Sequence, residues 1–129
     1  MHLRAPLVLL LLVAPLGLKA QQPTEPVPAD SASPPPALLD SACLVPVHPD
    51  IPRQAGIEGR VLVAFVVDTA GAVDTTTVRV LSSSHRLFEG RALTAISACR
   101  FSPGRVAGRA VRVRMRQAVN FTLPAPPPR

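Results

Sequence analysis

Ser84 and His85 stand side by side in "SSSH", residues 82–85, the first pairing in this chain that could do chemistry. A nucleophilic serine needs a base within hydrogen-bond reach and a third group to orient that base, an arrangement made in space and not by adjacency. No nucleophile-elbow pattern surrounds the pair, so the hydrolase reading competes with a simpler one: a serine that caps a helix beside a solvent-facing histidine. A metal site is no better supplied. His48 and His85 are the only histidines beyond residue 20, and neither has a cysteine or carboxylate cluster at ligand spacing. Asp68 and Asp74 flank a turn, where aspartate needs no catalytic role. The sequence therefore assigns no catalytic residue, no metal and no cofactor.

The densest charge feature is the alternation of Arg112, Arg114 and Arg116 with Val111, Val113 and Met115, with Arg105 and Arg109 nearby. On a strand these arginines repeat at roughly 6.6 Å, a spacing at which they could meet carboxylate or phosphate groups. The alternative is a solvated sheet face whose charge discourages edge-to-edge aggregation. Nucleic acid is disfavoured. The chain has no Trp or Tyr, and Phe65, Phe88, Phe101 and Phe121 all sit in apolar contexts, so no stacking platform is visible.

Periodicity supplies the elements that must carry these residues. In "RVLVAFVV", residues 60–67, Val61, Val63, Phe65 and Val67 share one face of a strand, and Leu62, Ala64 and Val66 share the other. Two apolar faces suit a central strand. "DTAG", residues 68–71, offers an Asx-type turn and a glycine able to take positive φ, and a second strand follows over residues 73–81. Within 82–101 the period changes: Phe88, Ala92, Ala95, Ile96 and Cys99 recur as on an amphipathic helix capped by one of Ser82, Ser83 or Ser84. That helix stops before Pro103-Gly104. Residues 108–123 read as a closing half-buried strand, and "HPDIPRQAG", residues 48–56, leaves room for one helical turn. The order is short helix, strand, strand, helix, strand, an α+β sandwich of two layers.

The ends are different in kind. Residues 1–20, "MHLRAPLVLLLLVAPLGLKA", read as a signal peptide cleaved near Ala20. The competing reading is a retained membrane anchor over residues 5–18, although a span needs about 20 apolar residues and this run is shorter and holds Pro6 and Pro15. Of 14 basic residues, loss of Arg4 and Lys19 leaves 12 against 8 acidic ones, a net charge of +4. Such a surface favours anionic partners at low salt. Residues 21–37 are dominated by Pro, Ser and Ala and are expected to form a solvated, polyproline-like linker, as is the tail 124–129. One small domain, residues 38–123, remains. Its two cysteines, Cys43 and Cys99, would pair in an oxidising compartment, the alternative being two buried thiols. A bridge closing so long a loop contributes about 4 kcal/mol on the chain-entropy model.

Taken in order, "AGIEGRV" (55–61), the valine-rich strand, the Asp/Gly turn, "VRVLSSS" (78–84), "ALTAISACRFSP" (92–103) and "VRVRMRQAVNFTL" (111–123) resemble the C-terminal domain of the TonB family. The resemblance covers about Val47 to Leu123. It implies a three-stranded antiparallel sheet with helices on one face, working in the periplasm and gripping an extended peptide at the plug of an outer-membrane receptor. The chain departs from the family where Tyr-Pro becomes His48-Pro49 and where Trp becomes Cys99. A complete energy transducer would also need a membrane helix able to reach an inner-membrane motor complex, which residues 5–18 could supply only if retained. A wall-associated structural domain is a further alternative.

Binding has a physical mechanism here. A strand at the sheet margin exposes unpaired N–H and C=O groups that an extended peptide of an envelope or receptor protein can complete. The closing strand is the expected margin, with Val111, Arg112, Val113, Arg114, Met115, Arg116, Gln117, Val119 and Phe121 as the partner-binding residues and the arginines selecting an acidic or C-terminal segment.

Overall fold

A computed structural model describes residues 25–125 and 128. The expected signal peptide and the competing anchor lie outside the described residues. Among those described, no helix is long and apolar enough to cross a membrane. In chain order the elements are β1 (Val27–Pro28), α1 (Asp50–Gln54), β2 (Gly59–Val67), β3 (Val73–Ser83), α2 (Glu89–Ala98), β4 (Gly104–Val106), β5 (Arg109–Val111) and β6 (Val113–Phe121), with 3-10 turns before α1 and α2.

The alternation that marks β2 as a central strand has its counterpart in the sheet. β2 runs antiparallel to β3 on one side and β6 on the other, in the order β1-β6-β2-β3. Its pairing with β6 is unbroken from Gly59↔Phe121 to Val67↔Val113. Its pairing with β3 shifts between Leu62 and Val63 and again between Ala64 and Val66. At the second shift the Thr77 hydroxyl accepts the Val66 N–H at 2.9 Å and donates to the Asp74 carbonyl at 2.6 Å, so the Val66 N–H keeps a partner where the ladder is irregular.

Val61, Val63, Phe65 and Val67 project to one side of the sheet and meet Phe88, Ala92 and Ile96 of the helical layer, with Val119 and Phe121 from β6. The Phe88 and Phe121 rings lie 4.7 Å apart, and His48 stands edge-on to both, at 5.4 and 6.1 Å. The imidazole thus adds a third ring to the Phe88–Phe121 cluster. Close packing reaches the backbone at Gly59, where any Cβ would strike the Phe88 ring. Gly71, at φ +86°, closes the Asp68 turn, and its carbonyl accepts the Phe101 N–H at 2.9 Å. Cys43 and Cys99 form a disulfide, with Cα atoms 5.2 Å apart, tying the segment before α1 to the end of α2.

Four expectations need correction. The sheet has four strands where three antiparallel ones were expected, and β4 and β5 form a second, two-stranded sheet. The closing strand is broken: Val111 ends β5 opposite Gly104, and β6 begins only at Val113. The helix is introduced by His85 in place of a serine, its Nδ1 accepting the Leu87 N–H at 3.1 Å. Ser83 donates instead to the Glu89 carboxylate at 2.6 Å, while Ser84 Oγ accepts the Arg60 N–H at 2.9 Å.

The fourth concerns the proline-rich segment. From Val27 onward it packs against the domain in place of the solvated linker expected for residues 21–37. β1 pairs in parallel with β6, Val27 beside Val113 and Pro28 beside Arg114. Ala32 and Pro36 are buried, Ser33 donates to the Arg105 carbonyl at 2.7 Å, and Arg105 donates to the Pro34 carbonyl at 3.1 Å. A proline-rich chain cannot supply a full set of donors, but its carbonyls remain acceptors, and an already extended chain gives up little freedom on docking.

Candidate peptide-binding edge

Each residue of a strand turns both of its main-chain groups to one side, and the side alternates along the strand. In β6 the parity is set by the Arg112 carbonyl, which accepts the Val27 N–H at 2.9 Å from the outer side. The even-numbered residues therefore face the margin, and the odd-numbered ones face β2. Sequence reasoning named Arg112, Arg114 and Arg116 among the even set and missed Ala118 and Asn120. All five share one parity, but Ala118 carries no chemistry of its own to mark it.

Val113, Val119 and Phe121 are buried in the core, and Met115 and Gln117 are half-buried on the same face, so their side chains serve the fold. Gln117 also covers part of the margin, its Nε2 donating to the Ala118 carbonyl at 3.0 Å. β1 occupies the first two positions of the edge. Beyond it, among the described residues, no other segment bonds to the outward main-chain groups of Arg116 or Asn120, nor to the Ala118 N–H. Among the described residues, a single edge is therefore closed at one end and open at the other.

β3 forms the opposite margin of the sheet. Its two register shifts bend it, a feature that blunts edges against pairing, whereas β6 keeps one register over nine residues.

The even-numbered side chains stand on the sheet face away from α2. Arg114 and Arg116 are exposed there and border a basin of about 940 Å³, with Ala64 and Val66 on its floor, Arg79 across it and Asp30 at its rim. Arg112 is engaged: its Nη2 lies 2.9 Å from Asp74 Oδ2. The Asp74 carboxyl is held below its ordinary value, chiefly by hydrogen bonds from the Thr76 hydroxyl and N–H and further by Arg112, with desolvation opposing them. Arg79, Arg114 and Arg116 form no ion pair among the described residues.

Ser84 and His85 do not meet as nucleophile and base, because each accepts a different backbone N–H. His48 Nε2 is buried without a hydrogen-bond partner among the described residues.

The family model for the Gram-negative bacterial TonB protein C-terminal matches residues 45–123. Among solved structures, the chain is similar to the solution NMR structure of the TonB C-terminal domain of Pseudomonas aeruginosa, with 30% identity and a TM-score of 0.54, over 68% of this chain and 86% of that one. It is also similar to the TonB2 protein of Vibrio anguillarum, with 29% identity and a TM-score of 0.46, over 61% of this chain and 74% of that one. No curated protein matches the chain in sequence.

Proposed function

Since the chain belongs to the TonB C-terminal family, we propose that it is a periplasmic binding module that docks on an extended segment of an envelope or outer-membrane receptor protein by adding a strand to β6. Residues 1–20 are removed on export in this reading, and the disulfide fits an oxidising compartment. The module carries no catalytic group and brings its partner into TonB-type transport.

One observation carries the reading: the margin of β6 already holds a two-residue parallel strand, and among the described residues no other segment bonds to the outward groups of Arg116 and Asn120 or to the Ala118 N–H. Strand addition supplies affinity through main-chain bonds, and the side chains on the two faces supply selectivity.

The test removes one outward donor. At an edge strand, proline is tolerated where the N–H faces solvent. Ala118→Pro therefore keeps the ladder to β2 and deletes a bond that the partner needs. Photocrosslinking from Asn120 in the full chain should capture an extended segment of an envelope protein, and Ala118→Pro should abolish the capture. Capture that persists unchanged in a folded Ala118→Pro protein would rule out strand addition at this edge.

A further inference from the structure

We propose that the open face beside this edge selects acidic side chains, with Arg79, Arg114 and Arg116 as the specificity-determining residues; the proposal rests on strand addition to β6. The three lie on one face by register. Arg116 pairs with Ala64, and Ala64 pairs on its other side with Arg79, so the two arginines flank a single methyl group across three strands. Adjacent strands are about 4.8 Å apart, which separates the two backbones by roughly 10 Å, and two arginine side chains can close on one carboxylate over that gap. Arg114 follows Arg116 at the next position on the same face, beside Val66.

The charges on this face are unequally matched. At one end of the row Arg112 has its acid, Asp74, at 2.9 Å. At the other end three guanidinium groups border an apolar floor with no carboxylate in ion-pair contact among the described residues. The chain's own Asp30 reaches the rim of the basin and pairs with none of them. Like charges gathered over Ala64 and Val66 repel one another, and an incoming carboxylate relieves that repulsion while accepting bidentate hydrogen bonds.

The occupant is an extended peptide with acidic residues at alternate positions. A strand added to β6 places every second side chain on the face that Arg116 occupies, and opposite charges on neighbouring strands attract. The basin is concave and framed by Pro28 and Asp30 on one side and by Arg79 and Leu81 of β3 on the other. That shape suits a side chain entering from the neighbouring strand better than the flat plane of a lipid headgroup layer.

The experiment measures fluorescence anisotropy of three labelled ten-residue peptides against the full chain. One alternates Val with Glu, the second Val with Gln and the third Val with Lys. The Val–Glu peptide is expected to bind at least tenfold tighter than the Val–Gln peptide, with the advantage lost at high salt. The double variant Arg114→Gln, Arg116→Gln should reduce the Val–Glu peptide to the Val–Gln level, and Arg79→Gln should give part of that loss. Circular dichroism confirms that each variant is folded. Equal binding of the Glu and Gln peptides overturns the arginine selection and leaves strand addition standing. Binding of none of the peptides removes strand addition as well. Anionic vesicles that bind as tightly as the Val–Glu peptide, together with Val–Glu binding indifferent to Ala118→Pro, would show a general anionic surface and overturn the proposal.

Discussion

Val27 donates its backbone N–H to the carbonyl of Arg112 at 2.9 Å, across 85 residues of sequence, and so makes the proline-rich segment a strand of the sheet that it precedes. The contact closes the edge at Arg112–Arg114, and among the described residues no further segment pairs with it beyond. A partner strand long enough to span the whole of β6 must displace β1.

Val27→Pro removes the donated N–H and weakens β1 by one hydrogen bond, worth about 1 kcal/mol. A peptide that spans Arg112 to Asn120 should then bind roughly fivefold tighter, since its competitor is weakened by that amount. Titration calorimetry checks this, and an unchanged affinity would mean that β1 does not stand in the partner's path.

Reduction of Cys43–Cys99, or replacement of both by serine, frees a chain of 56 residues' separation in the unfolded state. The chain-entropy cost is about 4 kcal/mol, enough to lower Tm by on the order of 15 °C or more in a domain this size. Thermal denaturation with and without reductant reads it directly. A shift of only a degree or two would show that contacts of α2 with the sheet carry the clamp alone.

Gly59→Ala should destabilise by about 1–3 kcal/mol, because the added methyl strikes the Phe88 ring, which is itself fully buried against Phe121. Gly90→Ala is the control: a Cβ there meets nothing, and helix propensity predicts a gain of roughly 0.5–1 kcal/mol. Denaturant titrations of the pair should move in opposite directions.

His48→Phe retains the edge-on ring contacts with Phe88 and Phe121 and removes a buried nitrogen that has no partner among the described residues. Stability is expected to be within about 1 kcal/mol of the parent or above it, whereas His48→Ala should lose on the order of 2 kcal/mol. A His48→Phe protein as unstable as His48→Ala would contradict the packing role.

Asp74 has a carboxyl pKa below the ordinary value of 3.8 in the folded protein, owing first to Thr76 and then to Arg112. A group with a depressed folded pKa stabilises the fold above its unfolded value and loses that contribution as the pH falls through the folded one. The Tm difference between the parent and Asp74→Asn should therefore be full at neutral pH and shrink below pH 3.8. A difference that stayed constant through that range would remove the link between Asp74 ionisation and the fold.

Much of the architecture is legible without coordinates because periodicity records burial. The alternation from Val61 to Val67 marks the covered face, where Val61, Val63, Phe65 and Val67 are all buried, and β2 has a neighbour on each side. The spacing of Phe88, Ala92 and Ile96 reports one covered stripe, and those three are fully buried. The chain has two cysteines, and of the two readings that leaves, a bridge or a pair of buried thiols, the structure shows the bridge.

The candidate site was only half legible, and the missing half is of one kind. Whether the edge at Arg112 and Arg114 is open depends on main-chain groups that every residue possesses, so Val27 and Pro28 carry no side-chain mark of where they pair. The break between Val111 and Val113 is invisible in a run whose alternation continues through it. The engagement of Arg112 by Asp74, while Arg114 and Arg116 have no acid partner among the described residues, is likewise a matter of distance across β2. Side-chain pattern specifies which face of an element is covered; which segment covers an edge, and which charge finds its counter-charge, is decided only when distant parts of the chain compete for the same place in the folded body.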